Sequence, residues 1–127
     1  MKSKIDKIII IHTPDDSPDL SYLESTIENG IINSCRYSQE ELAKHPIRTK
    51  RYIKADMERL NNYGRTWNCI GIRAEADISY SIGNGNYRIE RLTSGGLYGI
   101  ESDSDSDYIK SIEDEELADL KERLFGK

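Results

Sequence analysis

The sequence predicts a single α+β domain, residues 1–127, in which a small, mostly antiparallel sheet packs against two amphipathic helices. Three observations lead to this fold class. Residues 67–97 alternate apolar and polar side chains on either side of a Gly/Asn-rich turn, which is typical of a β-hairpin. Two further segments, 49–63 and 105–124, carry apolar residues at helical spacing. The chain length fits one domain with one modest core.

The first strand of the sheet is predicted at Ile5 to His12. Its four successive isoleucines, Ile8 to Ile11, are β-branched and suit a buried strand. The strand ends in Thr13 to Asp19, where two prolines and several short polar side chains favour turns.

The next part of the chain, Glu24 to Lys44, gives weaker signals. Asn29-Gly30 marks a turn, and Ser38 followed by Glu41 has the pattern of a capped short helix that Pro46 interrupts. A longer helix is predicted at residues 49–63. Its apolar side chains recur on one face, and these are Ile53, Met57 and Leu60.

The central hairpin is predicted from a long first strand, Trp67 to Ser81, and a returning strand that reaches Leu97. Residues 82–86 supply the turn, because glycine and asparagine tolerate positive φ. On the returning strand, the alternation does not decide which of the two faces is buried. One face consists of Tyr87, Ile89, Arg91 and Thr93, and the other of Arg88, Glu90 and Leu92.

The last helix is predicted at Asp105 to Leu124, with an apolar stripe formed by Ile109, Ile112, Leu117, Leu120 and Leu124. Two strands joined by a tight turn must run antiparallel. Two helices that cover one face of such a sheet, with the N-terminal strand added to it, give the α+β class.

Composition excludes several classes of protein. The net charge of -5 argues against direct nucleic-acid binding, which needs a basic surface. The two cysteines form neither a disulfide framework nor a CxxC motif, so we expect reduced thiols and a cytoplasmic location. No segment approaches the roughly 20 apolar residues of a membrane span, so no membrane contact is expected.

The known site motifs are incomplete. Asp103 to Asp107 begins like a calcium loop, but Tyr108 replaces the glycine at position 6 and Asp114 replaces the glutamate at position 12. The glycines Gly95 and Gly96 lack the spacing and the lysine of phosphate-binding loops. We therefore expect no metal, no cofactor and no catalytic residues.

Two acidic clusters flanked by tyrosines are the candidate binding residues. Tyrosine supplies contact area, and carboxylates complement a basic groove. The residues are Asp15, Asp16, Asp19 and Tyr22 in the first cluster, and Tyr98, Glu101, Asp103, Asp105, Asp107 and Tyr108 in the second.

Several segments resemble a family of small acidic proteins carried by phages and mobile elements. The segments are Asp15 to Glu24, Tyr63-Gly64 with Trp67 to Ala76, Ser94 to Ser104, and Glu115 to Leu117. Such proteins are similar in setting to anti-CRISPR and other anti-defence inhibitors. The resemblance implies a non-catalytic inhibitor in the host cytoplasm. Its partner would be a host protein with a basic nucleic-acid-binding groove, such as a Cas effector.

An alternative hypothesis is a small enzyme or ligand-binding protein. Its pocket would lie near Gly95, Gly96 and Arg73. A concave site with a buried carboxylate at these glycines would favour this alternative, whereas an exposed acidic face would favour the binding protein.

Overall fold

The computed structural model describes residues 3–125, which divide into two compact units. The first contains residues 3–16 and 69–125, and the second contains residues 17–68. In chain order the elements are β1 (Ser3–Pro14), a 3-10 turn (Ser21–Leu23), β2 (Ser25–Glu28), β3 (Ile31–Ser34), α1 (Gln39–Lys44), α2 (Pro46–Asn61), β4 (Cys69–Gly83), β5 (Asn86–Thr93), β6 (Leu97–Glu101) and α3 (Ser106–Phe125). Antiparallel strand pairing together with helices confirms the α+β class.

The sheet of the first unit is built around the long strand β4. Strand β1 pairs with one edge of β4, whereas β5 and β6 share the other edge, all antiparallel. The predicted hairpin and the added N-terminal strand are therefore confirmed. Asn84 and Gly85 form the turn with φ of 54° and 76°, as a two-residue hairpin loop requires. The returning strand is broken between β5 and β6 at Ser94 to Gly96, and we call these three residues the Ser-Gly-Gly break.

Helix α3 packs on one face of β4 and closes the core. Leu120 is buried against Ala74 and Ala76, while Ile112 is buried against Ile72 and other isoleucines. The remaining residues of the predicted stripe, Ile109, Leu117 and Leu124, pack around these two clusters. Leu92 packs there as well, so the face of β5 that carries Arg88, Glu90 and Leu92 is the one directed toward the α3 side.

The second unit contains a two-stranded sheet and two helices. The β2–β3 hairpin turns at Asn29 and Gly30, with φ of 52° and 77°. Ser38 caps α1 by accepting a hydrogen bond from the N–H of Glu41, as predicted. Helix α2 begins with Pro46, three residues before the predicted start, because a proline in the first helical position costs no hydrogen bond. It packs against α1 and the 3-10 turn, whereas α3 packs on the sheet.

Within residues 3–125, none of the helices has the length and apolar character needed to cross a membrane.

Candidate binding surface at one end of the sheet

The end of the sheet where β4 begins carries acidic residues from two distant parts of the chain. Asp15 lies on one side of Cys69 and donates its main-chain N–H to the Cys69 carbonyl at 3.0 Å. Glu101 lies on the other side of Cys69 as its pairing partner in β6. The Asp15 carboxylate accepts a hydrogen bond from the N–H of Gly99 at 3.0 Å, so it joins segments 84 positions apart.

The loop after β6 adds carboxylates at the start of α3. The N–H and hydroxyl of Ser104 both bond to the Glu101 carbonyl, at 3.0 and 2.6 Å, and close a tight turn. Asp105 precedes the helix and its carbonyl accepts the N–H of Ile109. Asp103, Asp105 and Asp107 are all exposed. Negative charges at a helix N-terminus are favoured by the macrodipole, so the helix stabilises this charge density.

We call this region the acidic end. Its carboxylates all belong to the first unit, and they are Asp15, Asp16, Glu101, Asp103, Asp105 and Asp107.

Two tyrosines of the same unit flank these carboxylates in the sequence. Tyr98 and Tyr108 are each 53% exposed. The Tyr98 ring lies over Gly71 on the sheet face opposite α3, because a Cβ at Gly71 would overlap the ring. Both side chains thus present aromatic area to solvent from ordered elements.

The other two predicted site residues, Asp19 and Tyr22, belong to the second unit. The Asp19 carboxylate accepts hydrogen bonds from the hydroxyl and the N–H of Ser21, at 2.7 and 3.0 Å. These two bonds hold the pKa of Asp19 below its usual value. The Arg36 guanidinium lies 5.3 Å from the centre of the Tyr22 ring. The sequence-predicted residues are therefore distributed over both units, and most of them share the acidic end.

The Ser-Gly-Gly break is held by carboxylates of α3. Glu116 Oε1 accepts the N–H of Gly96 at 2.7 Å, and Asp119 Oδ2 accepts the N–H of Gly95 at 2.8 Å. The bond from Gly95, with a contribution from Arg123, lowers the pKa of Asp119. The N–H groups that a phosphate would need are thus taken by side chains of the same chain.

Sequence reasoning missed these roles of Glu116 and Asp119. The signal was their spacing of three positions, which places both carboxylates on one side of the helix, next to the apolar stripe.

A buried carboxylate does lie near Arg73, but it is neutralised within the sheet. Glu75 is 4% exposed and accepts a hydrogen bond from Arg73 Nε at 2.8 Å. Arg91 Nε lies 3.3 Å from the other oxygen of Glu75 and donates its hydrogen bond to Asp77 at 3.2 Å. The cavity beside Glu75 has a volume of about 40 Å³, well below the 300–1,000 Å³ of ordinary ligand pockets.

No cluster of three or more His, Cys, Asp or Glu side chains in residues 3–125 is arranged to hold a metal ion. Cys35 is an exposed free thiol, and Cys69 is a buried one.

Comparisons with family models, with curated proteins and with solved structures find no match to this chain.

Proposed function

We propose that this chain is a non-catalytic binding protein of phage or mobile-element origin that inhibits a host protein through its acidic end. The partner is a protein with a basic nucleic-acid-binding groove, in particular a nuclease of a host defence system such as a Cas effector.

The observation that supports this proposal most directly is the contact of Asp15 with Gly99. It links the end of β1 to β6 across the start of β4, where Asp15 and Glu101 flank Cys69 on the two sides. Neighbouring strands are about 4.8 Å apart, which sets Asp15 and Glu101 roughly 10 Å apart across the sheet. The Lys and Arg side chains of the partner's groove, which normally bind phosphates, would contact several carboxylates that are held at one end of the same sheet.

The order of this surface also favours binding. Strand β6 is paired to β4, and the acidic loop ends in the first turn of α3. Because these groups are already ordered, little conformational entropy is lost on association. Tyr98 and Tyr108 add aromatic contact area of the kind that dominates binding energy at interfaces.

The alternative of an enzyme or ligand pocket at Gly95, Gly96 and Arg73 has less support. The N–H groups of both glycines bond to α3, and Arg73 bonds to Glu75.

The test uses a tagged parent chain, a triple variant and a charge-matched control on lysate of the host. The variant is Asp103→Asn with Asp105→Asn and Asp107→Asn. The control removes three exposed carboxylates elsewhere, by Glu28→Gln, Glu115→Gln and Glu122→Gln. We expect the parent and the control to capture the same protein and the triple variant to lose it. Added duplex DNA should displace the captured protein, because both ligands would occupy one groove.

Salt provides the second measurement. Exposed charges are screened beyond about 8–10 Å at physiological ionic strength, so the on-rate should fall with salt more than the off-rate rises. Asp16→Asn tests the first acidic segment without disturbing the Asp15 contact. If the triple variant captures and inhibits like the parent, the acidic end is not the binding surface.

A further inference from the structure

Strand β5 has an open outer edge. Among residues 3–125, β4 is the only strand that pairs with it, and residues 86–91 are all exposed. Tyr87 is 66% exposed and Ile89 is 70% exposed. An edge of this kind presents unpaired main-chain N–H and C=O groups, which can pair with another strand.

The opposite edge of the sheet is protected, whereas β5 is not. Strand β1 carries a register irregularity between Ile5 and Lys7 and exposes Lys4 and Lys7, and bulges and lysines are devices that prevent edge pairing. Strand β5 contains neither lysine nor proline, and its pairing with β4 is regular from Tyr87 to Thr93.

The direction of the β5 backbone decides which residues can pair outward. The N–H of Ser94, which directly follows the strand, donates to the Ala74 carbonyl of β4 at 2.9 Å. Main-chain groups alternate between the two sides of an antiparallel strand. Counting back from Ser94, the even-numbered residues of β5 direct their main-chain N–H and C=O groups to β4. Tyr87, Ile89 and Arg91 therefore direct their N–H and C=O groups to the open edge.

We propose that two copies of this chain pair antiparallel through β5, around a twofold axis at Ile89. In this register Ile89 faces Ile89 of the second copy, and Tyr87 faces Arg91. About six main-chain hydrogen bonds form between the outward-facing residues of the two strands. The sheet then continues from one copy into the other.

The charges of β5 are self-complementary in this register. Arg88 of each copy faces Glu90 of the other, so the axis produces two opposite-charge pairs. These are positions without main-chain bonds between the copies, where side chains approach most closely and opposite charges stabilise pairing. Within one chain, Arg88 Nη2 already lies 3.2 Å from Glu90 Oε1, so both side chains lie on one face.

Neighbouring registers lack this match. An axis two residues later would place Arg91 against Arg91 of the second copy, with like charges in contact. An axis at Arg88 or Glu90 would use the same outward main-chain groups but would place that charged side chain against the same residue of the second copy, so like charges would again be in contact. The charges and the backbone direction of β5 together therefore favour a twofold axis at Ile89.

A single strand edge buries less than the roughly 1,200 Å² of a standard interface, so the dimer belongs to the weak class. We expect a Kd on the order of 10–100 μM. The dimer would form at high local concentration and would present two acidic ends on one continuous sheet.

The proposal is tested with a cycle of charge-reversal variants. The Kd of dimerisation of each variant is measured by sedimentation over a range of protein concentrations. Glu90→Arg or Arg88→Glu alone places like charges across the axis and should weaken dimerisation at least tenfold. The double variant, Arg88→Glu with Glu90→Arg, exchanges both charges and should restore the parent Kd to within about threefold. Asp114→Lys makes the same charge change on α3, away from the edge, and should leave the Kd unchanged.

A backbone variant tests the same edge independently. Ile89→Pro removes an outward N–H and spares the inward bonds to β4, which proline on an edge strand permits. It should abolish the dimer while the far-ultraviolet circular dichroism stays that of the parent. A parent that is monomeric at every concentration overturns the proposal. So does a dimer that either single charge reversal leaves intact, or one that the double variant fails to restore.

Discussion

Replacing Ser94 by alanine should test how α3 is fixed to the sheet. Ser94 is 4% exposed, and its hydroxyl links two elements. The oxygen accepts the N–H of Ala74 at 2.9 Å, and the hydroxyl donates to Glu116 Oε1 at 2.7 Å. Alanine fits the space but makes neither bond. The buried N–H of Ala74 then has no acceptor, and Glu116 keeps the N–H of Gly96 but loses the hydroxyl.

The expected loss follows from these two changes. A buried N–H without a partner costs about 1–3 kcal/mol, and a hydrogen bond to a charged group contributes about 1.5–3 kcal/mol. Solvent can replace part of the second contribution, because Glu116 is only half-buried. We expect Ser94→Ala to lower the free energy of unfolding by about 2–4 kcal/mol. For a chain of this size, the midpoint of thermal unfolding falls by roughly 8–16 °C.

Urea denaturation followed by circular dichroism measures this difference, with Ser111→Ala as the matched control. The Ser111 hydroxyl donates to the carbonyl of Tyr108 on the exposed side of α3, so its loss should change stability by less than about 0.5 kcal/mol. Glu116→Gln retains an acceptor oxygen and should cost less than Ser94→Ala. If Ser94→Ala and Ser111→Ala unfold at the same urea concentration, the hydroxyl does not connect α3 to the sheet.

Three further outcomes are expected. The pKa of Asp119 is lowered in the folded protein, so its charged form stabilises the fold. This contribution is present above about pH 3.8 and disappears as pH falls through the lowered pKa. The difference in Tm between the parent and Asp119→Asn should therefore shrink below pH 4. Gly71→Ala should lower the Tm because its methyl group overlaps the Tyr98 ring, and adding Tyr98→Ala should recover part of the loss. Arg36→Ala should cost about 1–3 kcal/mol in urea denaturation, because it leaves the buried Asp56 carboxylate without its cation; an unchanged midpoint would contradict this.

The elements that could be predicted are those whose apolar side chains repeat at the spacing of a strand or a helix. The apolar residues of β4 and the stripe of α3 pack against each other in one core, and both segments were confirmed within about two residues at each end. The β2–β3 hairpin was missed, although its Asn29-Gly30 turn was recognised. Both of its strands are short, and Ile27 and Ile31 are exposed, so no alternation marked a buried side.

The candidate site could be predicted only in part. The carboxylates after β6 are adjacent in sequence, so their shared position needed no tertiary information. The contact of Asp15 with Gly99 depends on the pairing of β1 and β6 to the same strand, which no local pattern encodes. The roles of Glu116 and Asp119 were hidden for a different reason. An acidic residue beside an apolar stripe has the same sequence pattern whether it contacts solvent or a main-chain N–H.

The Ser-Gly-Gly break also fixes the axial position of α3. Apolar contacts are non-directional, so the stripe alone would tolerate sliding of the helix along β4. The bonds of Glu116 and Asp119 to consecutive N–H groups are short and directional, and a slip of one helical turn, about 5.4 Å, would break both. The acidic loop before α3 is thereby anchored at both ends, by a paired strand and by a helix that cannot translate. The main chain that carries its carboxylates therefore keeps a constant spacing, and under the proposed function the basic groups of a partner have to match that spacing.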